Sequence, residues 1–272
     1  MKRLKWTLLA AAVALVATTV AQAQLGGSTE KEVRRQARLQ WMQVKRHVPI
    51  EPDERVQRYV QCVTDRIIAQ LPAEQREAFE WEVVVFDDDE PNAQADPNGK
   101  IAVASGLFKV VDTQDALAAV IGHEVTHATE GHSLARMRRA ARQEAWAMIG
   151  GAATGSGYMG AELRTYLHLS LGLPFSRENE IEADVIGLDV MAKAGFDPRA
   201  AINLWKGMTA YQQSQGREPA RGLESTHPSD DVRIDNLVKV LAPALVEYNA
   251  AREAGRRPNC QANLAAARPA TR

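Results

Sequence analysis

The sequence has little of three things that would each indicate a particular kind of protein: cysteine, aromatic side chains and net charge. Its 272 residues include two cysteines, and 33 basic against 34 acidic residues leave a formal net charge of −1. With no basic excess and only 6% aromatic residues, the composition disfavours nucleic-acid binding. The remaining composition is that of an ordinary globular protein, and the length suits one domain with a short extension at each end.

Long hydrophobic runs are also scarce, and the one present stands at the N-terminus. Three basic residues precede an apolar or small-residue run over 7–20, and Ala21-Gln22-Ala23 then supplies the small-x-small pattern of a signal peptidase site. The run is short for a membrane-spanning helix, which needs about 20 residues. We therefore expect a signal peptide over 1–23, cleaved near Ala23, and a soluble protein exported to the periplasm. An uncleaved N-terminal anchor is the alternative.

The two cysteines, Cys62 and Cys260, lie near opposite ends of the chain that follows this signal. In an oxidising compartment an isolated pair is expected to form a disulfide, which would attach the C-terminal segment to the first long helix. Two free or buried thiols are the alternative. Metal binding by the pair is disfavoured because histidine and carboxylate ligands are available elsewhere.

Helical patterns outnumber strand patterns along the chain. The β-rich runs 81–86 and 101–104 predict two strands, and 91–99 between them has the composition of turns. The other periodic segments predict helices, at about 31–47, 53–72, 113–130, 132–148, 176–193, 198–213 and 230–252. The sequence therefore predicts a mainly α protein with a small β-sheet (α+β). We expect an N-terminal extension and helix over 24–52, one domain over 53–254 and a C-terminal tail over 255–272.

The helix over 113–130 contains the run His123-Glu124-Val125-Thr126-His127. The two histidines are four residues apart, so they lie about 40° apart on one helical face and can both bind one ion. Glu124 lies close enough to reach a water on that ion. This is the arrangement of zinc peptidases, in which the helix supplies two ligands and a general base. The same five-residue match also occurs by chance on ordinary helices.

A catalytic zinc ion takes three protein ligands and leaves its fourth position to water. The candidate for the third ligand is Glu180, which shares a helical face with Asp184 beside an apolar stripe. Two carboxylates beside such a stripe are costly unless they bind metal or accept hydrogen bonds. Asp184 then suits an acceptor that orients a ligand histidine. The alternative is a solvated acidic first turn, which fits Glu178 and Glu182 better.

These residues, with further segments of the chain, resemble a known family. The matching segments in order are 123–127 with His132 five residues on, Ser176-Arg177-Glu178-Asn179-Glu180-Ile181-Glu182-Ala183-Asp184, Gly195-Phe196-Asp197-Pro198, and Thr226-His227-Pro228 with Arg233-Ile234. They resemble the zinc metalloendopeptidase family of the CAAX prenyl protease type I and HtpX. Within this family the chain resembles the soluble periplasmic (BepA-like) branch, without its tetratricopeptide domain. The resemblance covers about residues 55–240.

The resemblance implies a gluzincin-like zincin fold, in which an active-site helix, a Glu-bearing helix and an edge strand line the cleft. It implies one Zn²⁺ per chain, with His123, His127 and Glu180 as ligands and Glu124 as general base. It also implies that Ile101–Ser105 is the edge strand with which an extended substrate pairs.

Two further histidines remain open to interpretation. The resemblance implies that His227 lies close to the zinc ion, where it could stabilise the oxyanion or gate the metal. A lone loop histidine is otherwise usually solvated. His132 is expected to be structural rather than a ligand.

The functional hypothesis is a zinc endopeptidase of the bacterial cell envelope that acts in protein quality control. Its expected substrates are unfolded or misassembled envelope polypeptides, with peripheral contact to the outer-membrane assembly machinery and no role for nucleic acid. The alternative is a chaperone-like or binding factor with a closed, structural zinc site, for which His227 is the candidate fourth ligand. A zinc hydrolase of non-peptide substrates is a third interpretation, which an unpaired strand edge at the cleft would disfavour.

Overall fold

A computed structural model describes residues 29–142, 174–214, 227 and 231–265 of the chain. The described elements confirm a mainly α protein with a small β-sheet. In chain order they are α1 (Glu30–His47), α2 (Glu54–Ile68), α3 (Ala73–Ala78), β1 (Glu82–Phe86), β2 (Ala93–Ala95), β3 (Lys100–Ala104), a 3-10 turn (Ser105–Lys109), α4 (Gln114–Thr129), α5 (132–142), α6 (Arg177–Lys193), α7 (Arg199–Ser214), α8 (Asp231–Glu253) and α9 (Ala262–Ala265). The predicted signal peptide, the end of the predicted helix over 132–148 and most of residues 215–230 lie outside the described residues.

The helices begin where their capping residues predict. The side chain of Asp53 accepts a hydrogen bond from Arg55 N–H at the start of α2. Thr113 does the same for α4, and Ser176 for α6. Each cap satisfies one of the backbone N–H groups that have no partner within the first turn of a helix.

The sheet has the order β1-β3-β2, with β1 parallel and β2 antiparallel to β3. Because β3 is paired on both sides, the expectation that 101–105 forms the edge strand is wrong. The two outer strands are β1 and β2, and β2, called the edge strand below, is the one that contacts Glu124 of α4. It lies within the segment predicted as turns. Its sequence, Ala93-Gln94-Ala95, has no β-branched or aromatic residue, so only its pairing with β3 makes it a strand.

The two faces of the sheet are covered by different helices. The core face carries Val83 and Val85 of β1, which belong to one buried cluster with side chains of α2 and α4. Alternate residues point to the other face, where α1 lies. There Trp41 Nε1 donates to Glu82 Oε2 over 2.8 Å, and the Trp41 ring packs edge-on against Phe86. The sheet is therefore enclosed between α1 and the core helices.

The crossing of α4 and α6 depends on two glycines. A Cβ atom on Gly122 would lie 2.8 Å from the carbonyl oxygen of Gly187, and one on Gly187 would lie 2.8 Å from the backbone nitrogen of His123. Both distances are shorter than a Cβ atom tolerates, so the helices meet through bare backbone. This close approach brings the acidic face of α6 beside α4.

The C-terminal segment is attached to the core. Cys62 and Cys260 form the predicted disulfide, with their Cα atoms 5.6 Å apart. The Gln114 side chain donates to Pro258 O over 2.9 Å and accepts from Cys260 N–H over 2.8 Å. Residues 255–265, predicted as part of a tail, are thus held against α2 and the start of α4. None of the described helices is both long and apolar enough to cross a membrane.

Candidate metal centre

Four buried side chains converge at the crossing of α4 and α6. His123 and His127 come from α4, Glu180 from α6, and His227 from the segment before α8; one ligand atom of each lies within 4.8 Å of all the others. Nε2 of His123 is 3.0 Å from Nε2 of His127 and 3.1 Å from Nδ1 of His227. The Glu180 carboxylate oxygens lie 3.4 Å from the two Nε2 atoms and 3.0 Å from Nδ1 of His227.

These separations fit a metal ion in the middle of the cluster. Ligand atoms bound tetrahedrally to zinc at about 2.0–2.1 Å lie about 3.3 Å from one another. The observed separations of 3.0–3.4 Å match that value. Three imidazoles and one carboxylate are also a donor set that zinc binds. The set includes Nδ1 of His227 as a fourth member, in addition to the three ligands that the sequence predicts.

Glu124 lies beside the cluster with its two carboxylate oxygens in different surroundings. Its side chain is fully buried, and Oε2 accepts a hydrogen bond of 3.0 Å from the N–H of Ala95 in the edge strand. Oε1 makes no hydrogen bond to any described residue, although it lies 3.3 Å from Nε2 of His227. The edge strand therefore fixes one oxygen and leaves the other free.

Nδ1 of His123, the ring nitrogen that points away from the cluster, faces a buried ion pair. Nδ1 of His123 lies 2.9 Å from Oδ1 of Asp184, the residue that the sequence places behind a ligand histidine. The Arg233 guanidinium donates to both oxygens of Asp184 over 2.7 and 2.8 Å, and it lies 2.8 Å from Glu180. Arg233 is only 1% exposed. The sequence motif includes this arginine, but nothing in its pattern predicts that it pairs with the acidic face of α6.

The outer nitrogen of His127 faces a different partner. Nδ1 of His127 lies 3.0 Å from Nδ1 of His132, whose Nε2 lies 3.1 Å from Glu182 Oε2. Gly131, at φ +74°, ends α4 and lets the chain restart as α5. His132 is therefore a hydrogen-bond partner of a candidate ligand, a contact that sequence reasoning missed.

Charges around the cluster shift its titration. Burial lowers the pKa of His123, but hydrogen bonds to Asp184 and Glu180 outweigh it and raise the pKa to about 9. Burial also lowers the pKa of His127, and there it prevails over Glu180. Burial raises the pKa of the Glu180 carboxyl, but the surrounding histidines outweigh it and lower the pKa. Asp184 likewise has a lowered pKa because Arg233 and His123 outweigh its burial. Both carboxylates are therefore ionised at neutral pH.

Comparison with known proteins assigns this site to a family. The profile of peptidase family M48 matches residues 54–241, a range that contains all six predicted site residues. The chain belongs to peptidase family M48. This assignment confirms the resemblance carried by the motifs and places the chain in a family of peptidases.

Individual relatives agree with the family. The chain is 38% identical to mitochondrial metalloendopeptidase OMA1 of Schizosaccharomyces pombe over 70% of this chain and 54% of that protein. It is 36% identical to OMA1 of Arabidopsis thaliana over 63% and 34%. It is 28% identical to the β-barrel assembly-enhancing protease of Yersinia pestis over 71% and 40%. The chain thus spans about half the length of these relatives or less.

Proposed function

We propose that the protein is a zinc-dependent endopeptidase in which His123, His127 and Glu180 hold one zinc ion per chain. The observation that carries this proposal is the spacing of 3.0–3.4 Å among their ligand atoms. When bound, zinc supplies a Lewis acid that polarises the peptide carbonyl and lowers the pKa of a water molecule from about 16 to about 7. Asp184 orients the His123 ring through its contact with Nδ1, the nitrogen that faces away from the cluster.

Glu124 is the group that moves the proton. Its Oε2 is anchored by the Ala95 N–H, so Oε1 is the oxygen that accepts a proton from the attacking water. The same oxygen then delivers the proton to the leaving amine, which completes the hydrolysis of the peptide bond. His227 lies between these groups, with Nδ1 in the ligand cluster and Nε2 3.3 Å from Oε1 of Glu124. We propose that its imidazole stabilises the developing oxyanion.

The edge strand supports a polypeptide as the substrate. Asn92 and Asp96 hydrogen-bond to β3, so the backbone groups of the alternate residues Ala93 and Ala95 point to the outer edge. Ala95 already donates to Glu124, and its carbonyl accepts a 2.6 Å hydrogen bond from Ser133. An extended polypeptide would therefore pair with Ala93, by strand addition next to the catalytic carboxylate. This edge disfavours a small non-peptide substrate.

We further propose that the protein works in the bacterial cell envelope. The signal-like N-terminus and the Cys62–Cys260 disulfide support an exported, periplasmic protein, soluble after cleavage near Ala23. A relative named β-barrel assembly-enhancing protease supports protein quality control and contact with the outer-membrane assembly machinery. Unfolded or misassembled envelope polypeptides would be its substrates, and the peptidase domain would span 53–254.

One observation favours a second candidate function. Nδ1 of His227 is as close to His123 and Glu180 as the other ligand atoms are, so His227 could fill the fourth position. A zinc site closed by four protein ligands is typical of a structural site, and the protein would then be a chaperone-like or binding factor. His227→Ala distinguishes the roles. Loss of zinc from this variant supports His227 as the fourth ligand of a structural site. Increased cleavage supports His227 as a gate. Cleavage reduced about 100-fold with zinc retained supports His227 as an oxyanion donor.

The endopeptidase proposal is tested by zinc analysis together with casein cleavage, for the wild type and Glu124→Gln, with and without a chelator. We expect about one zinc ion per chain in both proteins. Only the wild type should cleave casein, and the chelator should abolish that cleavage. Cleavage retained by Glu124→Gln would contradict the role of Glu124, and cleavage insensitive to the chelator would contradict a metallopeptidase.

A further inference from the structure

A pocket lies between α1, the edge strand and α5, and one of its lining residues, Ala95, also contacts the catalytic carboxylate. Its walls include Ala37, Trp41, Ala95, Asp96, Ser133 and Arg136. Ala95 also donates to Glu124 and accepts from Ser133. The pocket therefore begins one hydrogen bond from the group that would move the proton, on the strand along which a polypeptide would lie.

Arg136 is a buried cation in this pocket. The residue is 4% exposed, and its Nε and Nη1 atoms have no hydrogen-bond partner among the residues that the structure describes. No carboxylate of the described residues lies within ion-pair distance of its guanidinium, which packs over the Phe175 ring at 4.1 Å. The same ring stacks on His127 at 3.7 Å. A buried charge with unmade hydrogen bonds is costly, so these donors suit an anionic ligand.

The other charged groups of the pocket define the rest of the ligand. Lys100 is engaged, because its ammonium donates to the Glu80 carbonyl and lies 3.5 Å from Glu82. Asp96 uses Oδ1 to accept hydrogen bonds from the N–H groups of Asn98 and Lys100. Its buried Oδ2 has no partner within the described part of the chain. The pocket thus presents unpaired guanidinium donors and one unpaired acceptor. An acidic residue of a peptide offers the complement, a carboxylate together with a backbone N–H.

We propose that this pocket is a substrate subsite in which Arg136 binds the carboxylate of an aspartate or glutamate of the polypeptide being cleaved. Asp96 accepts a backbone N–H of the same segment. Because Ala95 contacts both the pocket and Glu124, the acidic residue lies within about two residues of the scissile bond. The inference rests on the proposed peptidase function and specifies its substrate class. A glutamine has nearly the same shape but no charge and only one acceptor oxygen, so the contrast between Glu and Gln measures the contact with the Arg136 guanidinium.

The test uses matched fluorogenic peptides that carry either Glu or Gln at one position, from three residues before the scissile bond to three after it. The measured quantity is the ratio of kcat/KM for the Glu and Gln peptides. For the wild type we expect a preference for Glu of about 10-fold or more at one position, as a charge-assisted, bidentate contact gives. Arg136→Met should reduce the ratio to about 1. The matched control is Arg142→Met, which removes an exposed cation from the same helix and should keep the wild-type ratio.

Two further variants strengthen the test. Arg136→Lys keeps the charge but loses the planar fork, so we expect an intermediate ratio, and it serves if the methionine variant does not fold. Arg136→Glu should reverse the preference, so that Lys is favoured over Glu at the same position. Wild-type ratios in all three variants would overturn the proposal.

A parallel set of peptides separates the two sources of a carboxylate. Each peptide is made with a free C-terminus and with a C-terminal amide. If an internal Glu raises kcat/KM by the same factor in both forms, the proposal is supported. A preference that depends on Arg136 but only on the free C-terminus would overturn it in favour of a subsite for chain ends.

A binding measurement separates failure of this inference from failure of the proposed function. Fluorescence anisotropy of the same peptides is recorded with Glu124→Gln and with Glu124→Gln combined with Arg136→Met. If Glu124→Gln binds the Glu peptide more tightly than the Gln peptide, and the double variant does not, the subsite is supported. This holds even if no preparation cleaves any peptide. Cleavage by the wild type with no Glu preference and no difference in binding overturns the subsite and leaves the peptidase proposal standing.

Discussion

His123 and His127 are one turn apart on the same helix, yet the side chains behind them differ. The inner network consists of His123, Asp184 and Arg233, none more than 4% exposed. The outer network runs from His127 through His132 to Glu182, whose side chain is 52% exposed. The inner network ends in a buried ion pair, whereas the outer network ends in a carboxylate at the surface.

This difference indicates in which network the site depends most on the pairing of charged side chains. Charges interact more strongly in the interior than at the surface, where water and salt screen them. Removing one partner of a buried ion pair leaves the other charge in the interior without a counter-ion. After the loss of a surface partner, water still solvates the remaining charge. We therefore expect the inner network to control metal binding and stability together, and the outer network mainly to orient His127. Four substitutions test this comparison, and they follow in order of decreasing expected effect.

The largest effect is expected for Asp184→Asn. The change leaves Arg233 buried without its main counter-ion and weakens the hold on His123. We expect the free energy of unfolding of the metal-free protein to fall by about 3 kcal/mol or more, and zinc affinity to fall by about 10–100-fold. Urea denaturation and competition with a chromophoric chelator measure the two quantities. The control is Asp189→Asn on the same helix, whose carboxylate is half exposed and pairs with Lys193; an equal loss there would refute the argument from burial.

The next effect is expected for Gly187→Ala, which acts on the inner network through the backbone. The new Cβ atom would lie 2.8 Å from the backbone nitrogen of His123, so α4 and α6 must separate. We expect a loss of about 1–3 kcal/mol in the free energy of unfolding, as overpacking costs, and weaker zinc binding. Gly207→Ala is the matched control, because its Cβ atom would meet nothing within 4 Å and alanine favours the helix. Equal behaviour of the two variants in urea denaturation would show that the helix crossing tolerates a side chain.

A smaller effect is expected for His132→Phe in the outer network. The phenyl ring keeps most of the buried volume, but Nδ1 of His127 loses its partner. We expect zinc affinity to fall by about 10-fold, at the lower end of the range for residues that orient metal ligands. The chelator competition used for Asp184→Asn measures it. A loss greater than that of Asp184→Asn would reverse the order of the two networks.

The smallest effect is expected for Glu182→Gln at the surface end of the outer network. A glutamine can still accept a hydrogen bond from His132, and the charge that is lost is solvated. We expect the free energy of unfolding to stay within about 0.5 kcal/mol of the wild type. Zinc affinity should change by less than a factor of about three, as that energy implies. A change as large as that of His132→Phe would mean that water does not screen this carboxylate.

The parts of the site that the sequence predicts are those set by local geometry. His123, Glu124 and His127 follow from helical periodicity, and the spacing of Glu180 and Asp184 follows from the same rule. The caps of the helices, the disulfide and the mainly α class also follow from local signals or composition.

The parts that it misses depend on contacts between distant segments. The strand β2 has a turn-like sequence and exists because it pairs with β3. Arg233 and His132 have no periodic signal of their own, because their partners lie on α6, 49 and 50 residues away. The contact between Gly122 and Gly187 joins two helices 65 residues apart, so no local pattern identifies the pair.

The most direct test of the central claim, that Glu180 completes a zinc site with His123 and His127, is the zinc content of Glu180→Gln compared with Glu182→Gln. The two residues are neighbours on α6, but Glu180 is 1% exposed within the cluster and the Glu182 side chain is 52% exposed. We predict about one zinc ion per chain in the wild type and in Glu182→Gln, and well below one in Glu180→Gln. Full zinc content in Glu180→Gln would contradict the account.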